Sequence, residues 1–146
     1  MKNMKVLIDT NIFLDWLQER EPFKEKSEIV LWKCLFGEIE GFVTPHSLND
    51  LFYILRKDYS VEERKHYLGI LCRHLTIILE DKTVITNVLS NEALRDFEDG
   101  LQIVCAHLKG LDYIITRDKS DFKNSPVPAI APDKFLELFS SEEKLN

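Results

Sequence analysis

The 146-residue chain has no apolar run approaching the roughly 20 residues needed to span a bilayer. Its first residues, Met1-Lys2-Asn3-Met4, lead straight into a short apolar segment, without the longer apolar stretch of a secretion signal. A cytoplasmic location with no membrane partner is therefore expected. Glycine and proline number only five each and no repeat or low-complexity tract is present, which leaves an ordinary globular composition. Cysteine is scarce too: Cys34, Cys72 and Cys105 are an odd number at wide spacing, each inside an apolar helical pattern. They are read as buried thiols in a reducing compartment, with no redox or metal role. Basic charge is also short. With 25 acids against 19 bases the formal charge is −6, whereas a protein that simply coats duplex nucleic acid is normally basic. A nucleic-acid substrate would require the acidity to be concentrated where it is useful.

What is present begins with Lys5-Val6-Leu7-Ile8-Asp9-Thr10-Asn11. A short apolar run ends in a carboxylate, a hydroxyl and an amide, and the amphipathic segment Ile12, Phe13, Leu14, Trp16, Leu17 follows at once. This is the pattern of a buried strand that delivers polar groups into the mouth of a helix. In open α/β sheets ligands bind outside the carboxyl ends of the strands, so Asp9 is a site candidate on position alone. The length suits one domain, taken as residues 1–139, with 140–146 as a disordered tail.

Further along, Pro22 can open a helix through Ile29, Val30, Trp32 and Leu35 or Phe36, and Gly41 to Thr44 reads as a strand closed by Pro45. Ser47 can cap a helix carrying Leu48, Leu51, Phe52 and Leu55, which would put Asp50 in its first turn. Ser60 and Glu63 have the form of a capping box, and Tyr67, Leu68, Leu71 and Leu75 continue that helix. Thr76 to Leu79 is β-branched and short, hence a strand; Lys82 to Leu89 is helical; Ser90 to Phe97 is a polar connection. Glu98-Asp99-Gly100 opens a helix with the stripe Leu101, Val104, Cys105, Leu108, stopped by Gly110. Tyr113 to Thr116 is a second strand ending in polar groups, followed by Arg117, Asp118 and Asp121. Val127 to Ile130 fits an edge strand, and Pro132 starts a last helix through Phe135, Leu136 and Phe139.

Asp9 and Asp118 thus follow strands, while Asp50 and Asp99 lie early in helices. If those strands are neighbours in a parallel sheet, the four carboxylates can converge at one end of it. Acids without a His or Cys cluster suit a hard divalent cation such as Mg²⁺, which binds through one or two carboxylates, waters and substrate phosphates. Without a cation such acids repel one another and their pKa values rise.

Four separated pieces together resemble the PIN domain family: Leu7-Ile8-Asp9-Thr10-Asn11, Ser47 to Lys57, Asp96-Phe97-Glu98-Asp99, and Tyr113 to Phe122. The resemblance covers nearly the whole chain. It implies a three-layer α/β/α Rossmann-like fold with a central parallel sheet of four to five strands, and a ribonuclease dependent on Mg²⁺ or Mn²⁺. It also implies the toxin half of a toxin–antitoxin pair, an RNA substrate, a small antitoxin partner and a homodimer. Carried over by motif, the catalytic acids are Asp9, Asp50, Asp99 and Asp118. Asp9, Asp99, Asp118 and Asp121 would serve as metal ligands, with Asn11 and Thr116 as polar supports. Arg56, Lys57, Arg117 and Lys119 stand close in sequence to these acids and are candidate phosphate contacts.

Two departures from the family pattern stand out. The second acid is often Glu where this chain has the shorter Asp50, and Glu98 beside Asp99 leaves open which of the two points inward. Residue by residue, simpler readings compete. Asp50 could complete a helix cap, Asp99 could serve a helix dipole, Asp118 and Asp121 could be turn acids, and the cations could form a solvated face. His46 is read as solvated or hydrogen-bonded, and His66, His74 and His107 share no metal-binding spacing. A phosphatase of the haloacid dehalogenase type would need a second Asp where Asn11 stands. A non-catalytic RNA- or partner-binding domain has no need of acids at all four positions.

Overall fold

The computed structural model describes residues 3–145. The elements in order are β1 (Lys5–Ile8), α1 (Thr10–Leu17), α2 (Lys24–Leu35), β2 (Glu40–Val43), α3 (Pro45–Ile54), α4 (Val61–His74), β3 (Thr76–Ile77), α5 (Lys82–Ser90), α6 (Phe97–Leu108), β4 (Tyr113–Ile115), β5 (Ala129–Ile130) and α7 (Pro132–Leu145). The five strands form one parallel sheet in the order β3-β2-β1-β4-β5, with β1 at its centre.

Alternation along the strands builds a core on each face. Val6, Ile8, Val43 and Ile115 pack with α1 to α4 and α7, while Leu7, Phe42 and Ile114 pack with α5 and α6. Burial on both faces explains why β1 reads as a continuous apolar run rather than an alternating one. The result is the expected three-layer arrangement, with the sheet between two helical layers. The chain reverses strand order at β1, where β2 lies on one side and β4 on the other. The end of β1 is therefore a crevice between diverging connections.

Local chemistry departs from the sequence reading at several points. Thr44 caps α3 by accepting from the Ser47 backbone N–H, and Pro45 fills the first helical position. Ser47 is not the cap; its buried hydroxyl accepts from both Thr10 and Thr44 at 2.9 Å. Asp50 accordingly sits in the second turn and has no capping role. α2 begins at Lys24, two residues after Pro22, and buries Ser27, Val30, Leu31 and Cys34. Trp32 and Phe36 stack on each other outside. β3 is only two residues long, and Leu79 beyond it is exposed. α6 starts at Phe97 with Asp96 as its cap, and its buried face is Gly100, Gln102, Ile103, Val104, Cys105 and Ala106; Leu108 points to solvent. Cys34 and Cys105 are buried thiols, as expected, but Cys72 is exposed.

The Ser60–Glu63 capping box is present with both reciprocal bonds. β5 lies at the edge, where its flanking prolines break no ladder. α7 continues through Leu145, over the stretch expected to be a disordered tail, and Asn146 lies outside the described residues. Among the described residues no helix is long and apolar enough to cross a membrane.

Candidate active site

Asp9 stands one residue past β1, and its backbone N–H still donates to Ile115 O at 3.0 Å, so the sheet holds its position. Its side chain is buried and accepts four hydrogen bonds. Thr10 N–H and Gln102 Nε2 donate to Oδ1 at 2.8 and 2.9 Å, and the Thr116 hydroxyl and Asn11 Nδ2 donate to Oδ2 at 2.7 and 3.2 Å. Burial raises the carboxyl above its usual range, the bonds from Gln102, Thr116 and Thr10 pull it back, and the Asp118 charge raises it further. Asn11 Nδ2 also reaches Asp118 Oδ2 at 3.0 Å, so one amide bridges the first and fourth acids. Thr116 Oγ1 accepts the Asp118 N–H at 3.0 Å while its proton goes to Asp9.

The expected acids do collect here, in two groups. Asp99 is raised to about 6, by burial first and then by the charges of Asp96, Asp121, Asp9 and Asp118. Asp99 thus lies within the field of Asp96, Asp121, Asp9 and Asp118. Asp50 belongs with Glu98: a hydrogen bond between the two, followed by burial and the charges of Asp50, Asp96 and Asp99, raises Glu98 to about 7. Glu98 and Asp99 thus feel different neighbours, Glu98 chiefly Asp50, and Asp99 the charges of Asp96, Asp121, Asp9 and Asp118.

The cations divide less favourably. Arg117 turns away from the acids and donates Nε and Nη2 to both oxygens of fully buried Asp15, at 2.8 and 2.9 Å, beneath the Phe23 ring. A guanidinium so engaged is not free for a phosphate, which corrects its expected role. Arg56 and Lys57 lie in a short 3-10 turn at the far end of α3, where Arg56 donates to Tyr53 O and covers the Tyr53 ring. They too fall outside the group. Lys119 remains exposed beside Asp118.

Several residues escaped the sequence reading. Gln102 is a lone amide three residues after Asp99 on an otherwise apolar face, and that interruption was the available signal. Glu80 follows Ile77-Ile78-Leu79, the same apolar run ending in a carboxylate that singled out Asp9. It accepts the His46 backbone N–H at 2.8 Å and lies 2.7 Å from His46 Nδ1, which is the hydrogen-bonded histidine expected.

A divalent cation fits this chemistry. The donors are hard oxygens of like charge, and the side-chain oxygens of Asn11 and Gln102, both bonded to Asp9 through their amide nitrogens, are buried without a hydrogen-bond partner among the described residues. Among the described residues no three His, Cys, Asp or Glu side chains enclose an ion by themselves. A cation held here would complete its shell with waters and substrate oxygens, as Mg²⁺ commonly does.

An open parallel sheet with a buried Asp just past its central strand places the chain among Rossmann-like α/β proteins. Within that class this chain belongs to the PIN domain family, whose sequence profile matches residues 5–120. It is similar to Ribonuclease VapC1 of Aquifex aeolicus (strain VF5), at 23% identity over 147 residues covering 97% of this chain and 99% of the relative. Solved structures agree in fold. A toxin-antitoxin complex from Klebsiella pneumoniae matches with a TM-score of 0.66 at 20% identity, over 87% of this chain and 97% of that one. VapBC2 from Rickettsia felis bound to a DNA fragment from their promoter gives 0.65 at 18% identity, over 88% and 98%.

Proposed function

We propose that this protein is an endoribonuclease, dependent on Mg²⁺ or Mn²⁺, that serves as the toxin of a toxin–antitoxin pair. The observation that carries the reading is the Asp9 arrangement, in which a buried carboxylate is held by four donors, shares its Asn11 donor with Asp118, and has two amide oxygens beside it that are unpartnered among the described residues. The likeness to a protein named a ribonuclease supports the choice of RNA, and the titles of the similar structures support a small antitoxin as partner. A homodimer in the cytoplasm completes the proposal.

Asp9, Asp99, Asp118 and Asp121 would hold the cation, which when bound supplies charge neutralisation and polarisation of the phosphodiester. Asp50, the acid outside that set, orients the attacking water in line with the leaving oxygen. Asn11 and Thr116 fix the separation of Asp9 and Asp118, so the site keeps its geometry between turnovers. Lys119 meets the flanking phosphate.

The charge balance supplies the test. The four catalytic acids carry four of the chain's six net negative charges, so about two divalent ions would leave roughly −2 and admit a polyanion. Purified protein is expected to cleave single-stranded RNA in Mg²⁺ or Mn²⁺ and to stop in excess chelator. A non-cleavable RNA should bind more tightly with the metal than with EDTA at one fixed salt concentration. The Asp9→Asn/Asp99→Asn protein should bind better than wild type without metal while remaining inactive. Undiminished cleavage in chelator refutes the mechanism, and equal affinities in all states refute the site.

A further inference from the structure

His46 lies in the first turn of α3, and Glu80 holds it from one side through both the backbone N–H and Nδ1. A carboxylate at Nδ1 accepts its proton and so fixes the direction of the opposite ring nitrogen. That nitrogen, Nε2, is buried and has no hydrogen-bond partner among the described residues. The acid nearest to it is Glu98, whose Oε1 is 4.0 Å away and whose side chain is 55% exposed and free to move. Glu98 also neighbours Asp50, which is the first of the groups that raise its carboxyl. A shift of about 1 Å would bring Glu98 within hydrogen-bond range of Nε2. A histidine needed only to fill space would not leave a buried nitrogen unpaired and aimed at a site acid.

We propose that Glu98 is a working member of the site and that His46, oriented by Glu80, is its positioning residue: Glu98 moves to His46 Nε2 when substrate enters, and Asp50 holds the attacking water. This rests on the ribonuclease reading above. It assigns Glu98 and Glu80 tasks that the four-acid pattern does not include.

Two substitutions separate the two ring nitrogens. His46→Asn places an amide where Nδ1 serves Glu80 and has nothing at Nε2, whereas His46→Gln places an amide near Nε2 and loses the Glu80 bond. With RNA as substrate, His46→Asn is expected to lower kcat about 10- to 100-fold with KM unchanged, and His46→Gln to restore most of it. Glu98→Gln should match the His46→Asn loss, and the double variant should be no worse than either single one. A merely structural histidine gives the reverse order, with Gln poorer than Asn and a fall in melting temperature in place of kcat. That order, or an undiminished kcat in His46→Asn, overturns the proposal.

A second readout does not need turnover. The ¹⁵N resonance of His46 Nε2 is expected to move when a non-cleavable RNA binds the wild type, and to stay in place when that RNA binds Glu98→Gln. Should the wild type cut no RNA under any metal condition, the ribonuclease reading fails, and this resonance alone judges the contact. An unmoved Nε2 overturns the assignment of His46 to Glu98.

Discussion

Thr116 ties Asp9 to Asp118 through a single oxygen: its hydroxyl donates to Asp9 Oδ2 at 2.7 Å and accepts the Asp118 N–H at 3.0 Å. Thr116, one residue past β4, therefore links two acids that are 109 positions apart in the chain. Thr116→Val keeps the shape but leaves the Asp118 N–H without its acceptor and removes one of the four donors to Asp9. A stability loss of about 1 to 3 kcal/mol is expected, with a larger proportional loss of kcat. Thr116→Ser should retain both bonds and most of the activity. Denaturant melts and kinetics on the pair measure this, and equal kcat for Val and Ser would remove Thr116 from the site.

Asp9→Asn is expected to abolish cleavage while leaving the fold intact. Burial disfavours the ionised carboxyl, so removing the charge relieves a penalty in metal-free protein, at the cost of one or two of its four hydrogen bonds. The metal-free melting temperature should therefore stay near that of wild type or rise. Thermal melts in EDTA and in Mg²⁺ decide the point: stabilisation by Mg²⁺ should appear in wild type and shrink in the variant. An unfolded variant would mean that Asp9 is structural.

The two raised acids fix the direction of the pH dependence. Glu98 rises from 4.5 to about 7 and Asp99 from 3.8 to about 6, so both bind protons more tightly in the folded state. Their cost to stability is absent below their unfolded values, grows as pH rises through this window, and is complete above about 7. Metal-free protein should therefore lose stability between pH about 4.5 and 7 relative to a Glu98→Gln/Asp99→Asn variant, and Mg²⁺ should flatten the difference. Parallel curves in EDTA for the two proteins would contradict these assignments.

Arg117 is expected to matter for stability more than for RNA affinity. Its fork closes on Asp15, which is fully buried and also receives the Ser27 hydroxyl at 2.7 Å. Arg117→Ala leaves that carboxylate unpaired and should cost about 3 kcal/mol or more, and Lys, lacking the bidentate geometry, should recover only part. Asp15→Leu combined with Arg117→Met should recover most of the loss. Urea titrations give the energies, and a large KM increase in Arg117→Lys without loss of stability would return the residue to the phosphate contacts.

The amino-acid order by itself marked the strands and the candidate acids. An apolar run broken by a carboxylate is a local signal, and it marked Asp9 and Asp118. The spacing of Asp50 and Asp99 within helices added the other two, and the alternation of strands with helices implied a parallel sheet. What each polar group does was decided only by tertiary structure, because hydrogen bonds and charge pairs form between residues distant in sequence. Ser47 had the composition of a cap, yet Thr44 takes that place and Ser47 bonds to Thr10 on another helix. Arg117 looked like a phosphate contact until α1 brought a buried Asp15 to it. Glu98 and Asp99 are adjacent and chemically alike; the helix aims successive side chains about 100° apart, and only the placement of α6 in the fold decides that Glu98 lies 4.0 Å from His46 Nε2 on α3.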